Sequence, residues 1–491
     1  VTPRLSIAQW DTIPTAARPE VDPRDLTVGI VHLGLGAFHR AHQAVYTERA
    51  MAASGETRWG ICGVSQRSRS VVDALQPQDG LYTVVERASS NVYRVRAPMR
   101  ELLFARDPAL MPWLAASSTQ VVTLTVTEKG YRHDPATRRL NVDDDDVQAD
   151  AAGQPPTTVV GQLVRGLQAR YRGSGAPLTV VSCDNLTANG ATLRGLVGDF
   201  CALLPHDEGF VSWIAHSISF PSTVVDRIVP ATTQVDRSDV ARFLGLDDEG
   251  AVVTEPFSQW VIEDDFAAAR PAWEMAGAIF TDDVAPYEAL KLRLLNGSHS
   301  ALAYLGLLAG YEYVAEFVEV DVAVAYVRAL MVETLGSLSV PVGFDVAAYQ
   351  ERLIGRFANP GLRYRLAQIA ADGSLKLPLR LVGTITQLRS AGEQPVLSVL
   401  AVAAWMRFVS ARRDDKGRSL HLDDPLAKRI LDALRDSDGA VPASVVDRLL
   451  GLHEVFGDLG DDAAVRRLLV AAMEELTRGG ALAALRNVTA G

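Results

Sequence analysis

Between residues 28 and 53 the chain runs from a short apolar stretch, VGIVHL (28–33), through Gly34 and Gly36 into FHRAHQAVYTERAMAA, whose spacing predicts a helix. A strand that turns on glycines into a helix cannot pair with its successor as a hairpin. It must return by a crossover, which makes parallel neighbours. WGICGV (59–64), VVTLTVT (121–127) and LTVVSCDN (178–185) read as further strands, and TVVGQLVRGLQARY (158–171) as a helix between two of them. Alternation of this kind predicts an α/β domain with a mainly parallel sheet covered on both faces. From residue 286 the texture changes to long helical patterns such as YEALKLRLLNGSHSALAYLGLLAGY, AVAYVRALMVETLGSL, LSVLAVAAWMRFVSARR and DAAVRRLLVAAMEELTRG. The expected division is therefore an α/β domain over 1–285 and a mostly helical domain over 286–491. Residues 1–25 are expected to wrap the sheet, and the acidic run 143–146 to be a solvated loop.

Composition narrows what such a chain does. At 491 residues with 48% hydrophobic side chains it has material for two cores. Its net charge of −11, from 48 basic and 59 acidic residues without a long basic block, argues against nucleic acid as a partner. Cys62, Cys183 and Cys201 are odd in number and widely spaced, which predicts free thiols in a reducing, cytoplasmic setting. No cysteine stands at ligand spacing from another cysteine or a histidine, so no metal site is expected. There is no G-x-S-x-G elbow for a serine nucleophile. The apolar runs are interrupted before they reach membrane-spanning length, so no membrane partner is expected. Nothing in the pattern selects an oligomeric state.

Gly34 and Gly36 suit a dinucleotide: they let the backbone approach the pyrophosphate, while the helix start offers N–H groups and partial positive charge. The fingerprint is incomplete, since His39 stands where a third glycine belongs, and an ordinary strand–helix turn fits the same residues. Arg40 and His42 follow as candidate contacts to phosphate or ribose. The second strand is expected to end in an acid that binds the ribose 2′-hydroxyl of NAD, yet the chain reads SQRSRS after Val64. Arg67 and Arg69 leave NAD, NADP and dual use open.

In YEALKLRLLNGSHSALAYLG, Lys291, Asn296 and His299 span an arc of about 140° on a regular α-helix. Oxidising an alcohol by hydride transfer needs a base for the hydroxyl proton, donors for the developing alkoxide and a group that orients the substrate. A lysine, an asparagine and a histidine meet those needs; a snorkelling lysine and a core histidine on an apolar helix are the alternative. Asn185 falls at the carboxyl end of a strand, where parallel sheets bind ligands, whereas Asn189-Gly190 reads as a turn.

Taken together, GLGAFHRAHQAVYTE, TLTVTEKGY, SCDNLTANG, FPSTVVDRIVP, EPFSQWVIEDDF and KLRLLNGSHSALAYLG resemble successive signatures of the mannitol dehydrogenase family of long-chain polyol dehydrogenases. The resemblance implies a Rossmann-type N-terminal domain, a helical C-terminal domain, a substrate cleft between them and no metal. It implies Lys291 as general base, Asn185 and Asn296 as oxyanion hole, and His299 as substrate-orienting group. Glu128 and Glu288 match acids on the proton path, and Asp226 a substrate-binding position. Gly34, Gly36, Phe38, Arg40, Arg67 and Thr127 fall at the cofactor. In RYRLAQIAADGSLKLPLR, Gln368 replaces an arginine of mannitol-type members while Lys376 is retained, and the QIA-DGS-KLP-R pattern, which ends in Arg380, is similar to the fructuronate reductase branch. Arg363, Arg365, Lys376 and Arg380 lie close enough in sequence to pair with a substrate carboxylate. The expected function is NAD(P)-dependent interconversion of D-mannonate and D-fructuronate, with mannitol and fructose as runner-up. A non-catalytic dinucleotide sensor is the reading from a different class, and the presence of Lys291, both asparagines and His299 speaks against it.

Overall fold

The computed structural model describes residues 2–134, 137–435, 437–439 and 441–490, and divides into two compact units, Val1–Ala285 and Pro286–Gly491. The strands of the first unit are β1 (Val28–Leu33), β2 (Gly60–Ser65), β3 (Tyr82–Glu86), β4 (Val92–Arg96), β5 (Met99–Phe104) and β6 (Val121–Leu124). They continue with β7 (Leu178–Ser182), β8 (Ile218–Ser219), β9 (Thr223–Asp226), β10 (Val252–Thr254), β11 (Gln259–Glu263) and β12 (Ile279–Thr281).

Six of these form one sheet in the order β5-β2-β1-β6-β7-β8, with every neighbouring pair parallel. Numbered along the sheet, this is the 3-2-1-4-5-6 order of a Rossmann fold, whose strand order reverses between β1 and β6. The strands are buried on both faces and their side chains alternate. Val31 and Leu33 join Leu163, Val164 and Leu193 on one side, while Ile30 joins Ala44, Val45 and Met51 on the other. Two three-stranded sheets, β10-β3-β4 and β12-β11-β9, are absent from the sequence-based expectation. Leu5, Ile13 and Ala17 from the N-terminal segment pack on the first of them with Leu81, Val85 and Val95.

Three local expectations need correction. The helix after the glycine turn is broken at His42 (φ −126°, ψ −91°) into Ala37–Ala41 and Gln43–Ser54, and the His42 ring bonds to the Gln259 carbonyl (2.9 Å). The stretch 121–127 is strand only to Leu124. The acidic run is not all loop: the Asp144 carboxylate accepts from the N–H groups of Asp146 and Val147 and caps the helix Asp145–Ala151, where negative charge is favourable.

The second unit is helical around one core, built from the buried faces of Gly297–Ala309, Asp321–Leu335, Val396–Ala411 and Ala463–Gly479. Two short π-helical segments interrupt it, Lys291–Asn296 and Pro378–Val382. All three cysteines are free thiols, and no helix of the described residues is long and apolar enough to cross a membrane.

Candidate functional site

The glycine turn leaves β1 at the point where the sheet order reverses. Gly34 has φ +112°, and a Cβ there would lie 2.1 Å from the Thr125 carbonyl oxygen, so no other residue fits. Its N–H bonds to the Val64 carbonyl (2.8 Å), while its own carbonyl accepts from Thr125 Oγ1 (2.9 Å). Gly36 differs: a Cβ there would meet only the Gly34 oxygen, at 3.7 Å, which leaves the turn open in front of the helix Ala37–Ala41. A closed glycine followed by an open one is the shape a pyrophosphate requires.

His39, at the third-glycine position, explains the incomplete fingerprint. It is buried and lies flat on His32 of β1, ring centroids 3.3 Å apart, so a stacked ring pair provides the helix–strand contact that a glycine would otherwise allow. His32 bonds to Thr123 Oγ1 (2.7 Å), and burial pushes its pKa down to about 3.

Arg40, expected at the cofactor, is corrected. It is buried, stacks over Tyr82, and donates to the Gly36 and Gly250 carbonyls, so it clamps the turn from within the fold. Phe38 is half-buried and stacked on His42 (5.0 Å). Arg67 is exposed at the end of β2 and donates to Thr127 Oγ1 (2.8 Å) beyond β6, bringing two expected cofactor residues together. Arg69 is held by Asp73 (3.3 Å).

Thr127 has φ +69° and ψ 158°, a conformation almost reserved for glycine and costing about 1–3 kcal/mol. It is held there by Asp184, whose carboxylate accepts from the N–H of Val126 and of Thr127 (2.9 Å each) and from the Tyr131 hydroxyl (2.7 Å). Burial raises the Asp184 pKa against these donors. Sequence reasoning passed over Asp184 in favour of its neighbour Asn185, which is exposed at the end of β7; Glu128 is exposed beside Thr127.

Asn189, expected in a turn, instead begins the helix Asn189–Ala202. Its buried amide donates to the carbonyls of Ser182, Asp184 and Thr223 (3.0–3.1 Å) and accepts from the Thr223 N–H (2.8 Å). It staples β7 to β9, at whose end Asp226 is buried.

In the second unit the regular α-helix assumed for Lys291, Asn296 and His299 is corrected. Lys291–Asn296 is a π turn, in which the Gly297 N–H reaches back to the Leu292 carbonyl, five residues earlier. In such a turn residues five apart stack as residues four apart do in an α-helix, so Lys291 and Asn296 share a face instead of standing about 140° apart. His299 follows Asn296 at i,i+3 and joins that face. Glu288 lies one turn earlier in Ala285–Leu290. The His299 ring is buried against Phe357 (4.6 Å) and the edge of Tyr364 (5.6 Å), which fix its plane.

The four cations expected to crowd around a carboxylate divide. Arg363 donates to the Tyr313 hydroxyl (3.2 Å) and Arg365 pairs with Glu312 (3.4 Å), both at the surface. Lys376 donates to the Ala371 (2.5 Å) and Ile369 (3.3 Å) carbonyls, and burial lowers its pKa. Gln368 is exposed on the helix Leu366–Ala370. Arg380 alone reaches the helix that carries the trio, donating to Ser300 Oγ (3.1 Å) and the Asn296 carbonyl (3.5 Å). Burial lowers its pKa, and among the described residues no carboxylate pairs with it. No three His, Cys, Asp or Glu side chains of the described residues are grouped to hold a metal ion.

Two family models match the chain, the mannitol dehydrogenase Rossmann domain over residues 28–275 and the mannitol dehydrogenase C-terminal domain over residues 283–477. D-mannonate oxidoreductase of Escherichia coli (strain K12) is 39% identical, over 95% of this chain and 96% of its own. Mannitol 2-dehydrogenase of Pyrenophora tritici-repentis is 38% identical, over 98% of this chain and 85% of its own. The solved structure of Pseudomonas fluorescens mannitol 2-dehydrogenase in ternary complex with NAD and D-mannitol superposes with a TM-score of 0.82 at 36% identity, covering 99% of both chains.

Proposed function

The chain belongs to the mannitol dehydrogenase family of oxidoreductases, and from that premise we propose that it interconverts D-mannonate and D-fructuronate with NAD. Lys291, as the neutral amine, takes the hydroxyl proton in the oxidative direction, and Glu288 and Glu128 serve its exchange with solvent. The side-chain amides of Asn296 and Asn185 donate to the substrate oxygen as negative charge develops there. His299, its plane fixed by Phe357 and Tyr364, orients the substrate, and Asp226 and Lys376 bind its hydroxyl groups. NAD, when bound, supplies the hydride acceptor. The residues fit it: the turn set by Gly34 and left open at Gly36 would hold the pyrophosphate, with Phe38, Arg67 and Thr127 as its further contacts.

Arg380 carries the choice of an acid substrate. A partly buried guanidinium without a carboxylate, attached to the helix of Asn296 and His299, is costly alone and is relieved by an anion. A charge-assisted bond of about 1.5–3 kcal/mol corresponds to roughly 10- to 150-fold in kcat/KM. The second reading, mannitol and fructose, is favoured by the fungal and Pseudomonas relatives; a hydroxyl also accepts from Arg380.

Reduction assays with purified protein, offering fructuronate and fructose separately with NADH and with NADPH, test the choice. The expected result is at least about tenfold higher kcat/KM for fructuronate, abolished in Arg380→Met. Equal or greater activity on fructose overturns the acid substrate.

A further inference from the structure

We propose that Arg293 is a positioning residue that holds the Lys291–Asn296 segment in its π-helical form, and so keeps the base and the oxyanion donor on one face. The inference rests on the assignment of Lys291 and Asn296 above.

A π turn contains one residue more than the α-helix around it and costs energy unless its surroundings enforce it. Arg293 lies in the middle of this turn and is partly buried. Its Nη1 donates to the Ser337 carbonyl (2.8 Å), to Ser337 Oγ (3.0 Å) and to the Gln387 side-chain oxygen. Ser337 follows the helix Asp321–Leu335, and Gln387 belongs to Gly383–Ser390, so one side chain ties the turn to two other helices. On the other flank the backbones come together without side chains: a Cβ on Gly297 would lie 3.1 Å from the Arg380 carbonyl of the second π segment.

Packing does not replace the Arg293 tie. A groove of about 470 Å³ opens beside it, lined by Arg293, Pro378, Val382, Gln387, His453 and Phe456 among others, so close-packed side chains do not fill that flank. With the guanidinium gone, the turn is free to tighten to α-helical winding, which leaves Asn296 about 140° around the helix from Lys291.

Arg293→Met keeps the length and apolar stem and removes the donors; Gln387→Leu removes one acceptor and leaves Arg293 in place. The full-length variants are assayed for kcat, KM, the pH profile of kcat, NADH binding by fluorescence and thermal unfolding. The expected outcome is a fall in kcat of at least tenfold in Arg293→Met and a smaller fall in Gln387→Leu. NADH affinity stays within twofold of wild type, the pH profile is displaced, and Arg293→Lys recovers part of the loss. Wild-type kcat and pH profile in Arg293→Met overturn the proposal. If Arg293→Met fails to fold, Gln387→Leu decides: reduced kcat at an unchanged unfolding temperature supports the tie, and unchanged kcat overturns it. Lys291→Ala separates the premise, since substantial turnover in that variant overturns the base assignment and, with it, the role given to Arg293.

Discussion

Gly36→Ala adds one methyl group to the cofactor turn at a place where the protein has room for it. The backbone there (φ −95°, ψ −177°) is open to any residue, and the new Cβ meets only the Gly34 oxygen, at 3.7 Å. The folded protein should therefore lose nothing, and gains about 0.4–1 kcal/mol from the stiffer unfolded chain. The cofactor should lose a good deal. A methyl standing before the helix start keeps a phosphate from at least one backbone N–H, a charge-assisted bond of about 1.5–3 kcal/mol, or roughly 10- to 150-fold in Kd.

Gly34→Ala is the contrasting control. Its Cβ would lie 2.1 Å from the Thr125 carbonyl oxygen at φ +112°, and strain plus overpacking on the order of 3 kcal/mol or more should appear as lost stability. NADH titration by fluorescence and thermal unfolding of both variants measure the two effects separately. If Gly36→Ala binds NADH as tightly as wild type, the reasoning that places the pyrophosphate at this turn is wrong.

Two further outcomes follow from buried polar groups. Asn189→Ala removes the amide's bonds to the carbonyls of Ser182, Asp184 and Thr223 and to Thr223 Oγ1, and the one it accepts from the Thr223 N–H, and should cost about 3 kcal/mol in denaturant unfolding; a loss below about 1 kcal/mol would show that the staple is dispensable. His32 titrates near 3 in the fold against 6.5 for an exposed histidine, so the unfolded chain takes up its proton first as pH falls. Its contribution is complete above pH 6.5 and declines towards pH 3. Moving from pH 6.5 to pH 5 should cost about 2 kcal/mol from this group, and His32→Asn, compared with wild type at both pH values, should flatten that slope.

The parallel sheet was legible because its strands are buried on both faces, and such strands are continuous runs of Val, Ile and Leu that end at glycine or polar residues. β1 and β2 fall close to where VGIVHL and WGICGV place them, and β7 begins where LTVVSCDN does but ends at Ser182. The small sheets were not legible for the opposite reason. β9, β10 and β12 have only three or four residues each and exist through distant partners, as where Gln259 pairs with Asp226. The break at His42 is similar: no glycine or proline marks it, and the His42 ring bonds to the Gln259 carbonyl far along the chain. Arg40 reads in the sequence as a contact to phosphate or ribose and nothing marks Arg227, yet each is buried and donates to main-chain carbonyls that only the fold brings near.

At the site, residue types were legible and their arrangement was not. Lysine, asparagine and histidine stand out from an apolar helix whatever its winding, but the angle between them depends on the backbone. Wound at 3.6 residues per turn, Lys291 and Asn296 diverge by about 140° and stand at opposite edges of the arc. The observed bond from Gly297 to Leu292 closes a wider turn and aligns them. Helix propensity does not encode that extra residue, because Lys, Leu and Arg favour ordinary α-helical winding and nothing in KLRLLN marks a wider turn. What enforces it lies elsewhere in the chain, in the Ser337 and Gln387 acceptors of Arg293 and the close approach of Arg380 to Gly297. The face shared by Lys291, Asn296 and His299 is thus a property of the tertiary packing around it, and if the proposed roles hold, residues that never touch the substrate should tune turnover as strongly as some that do.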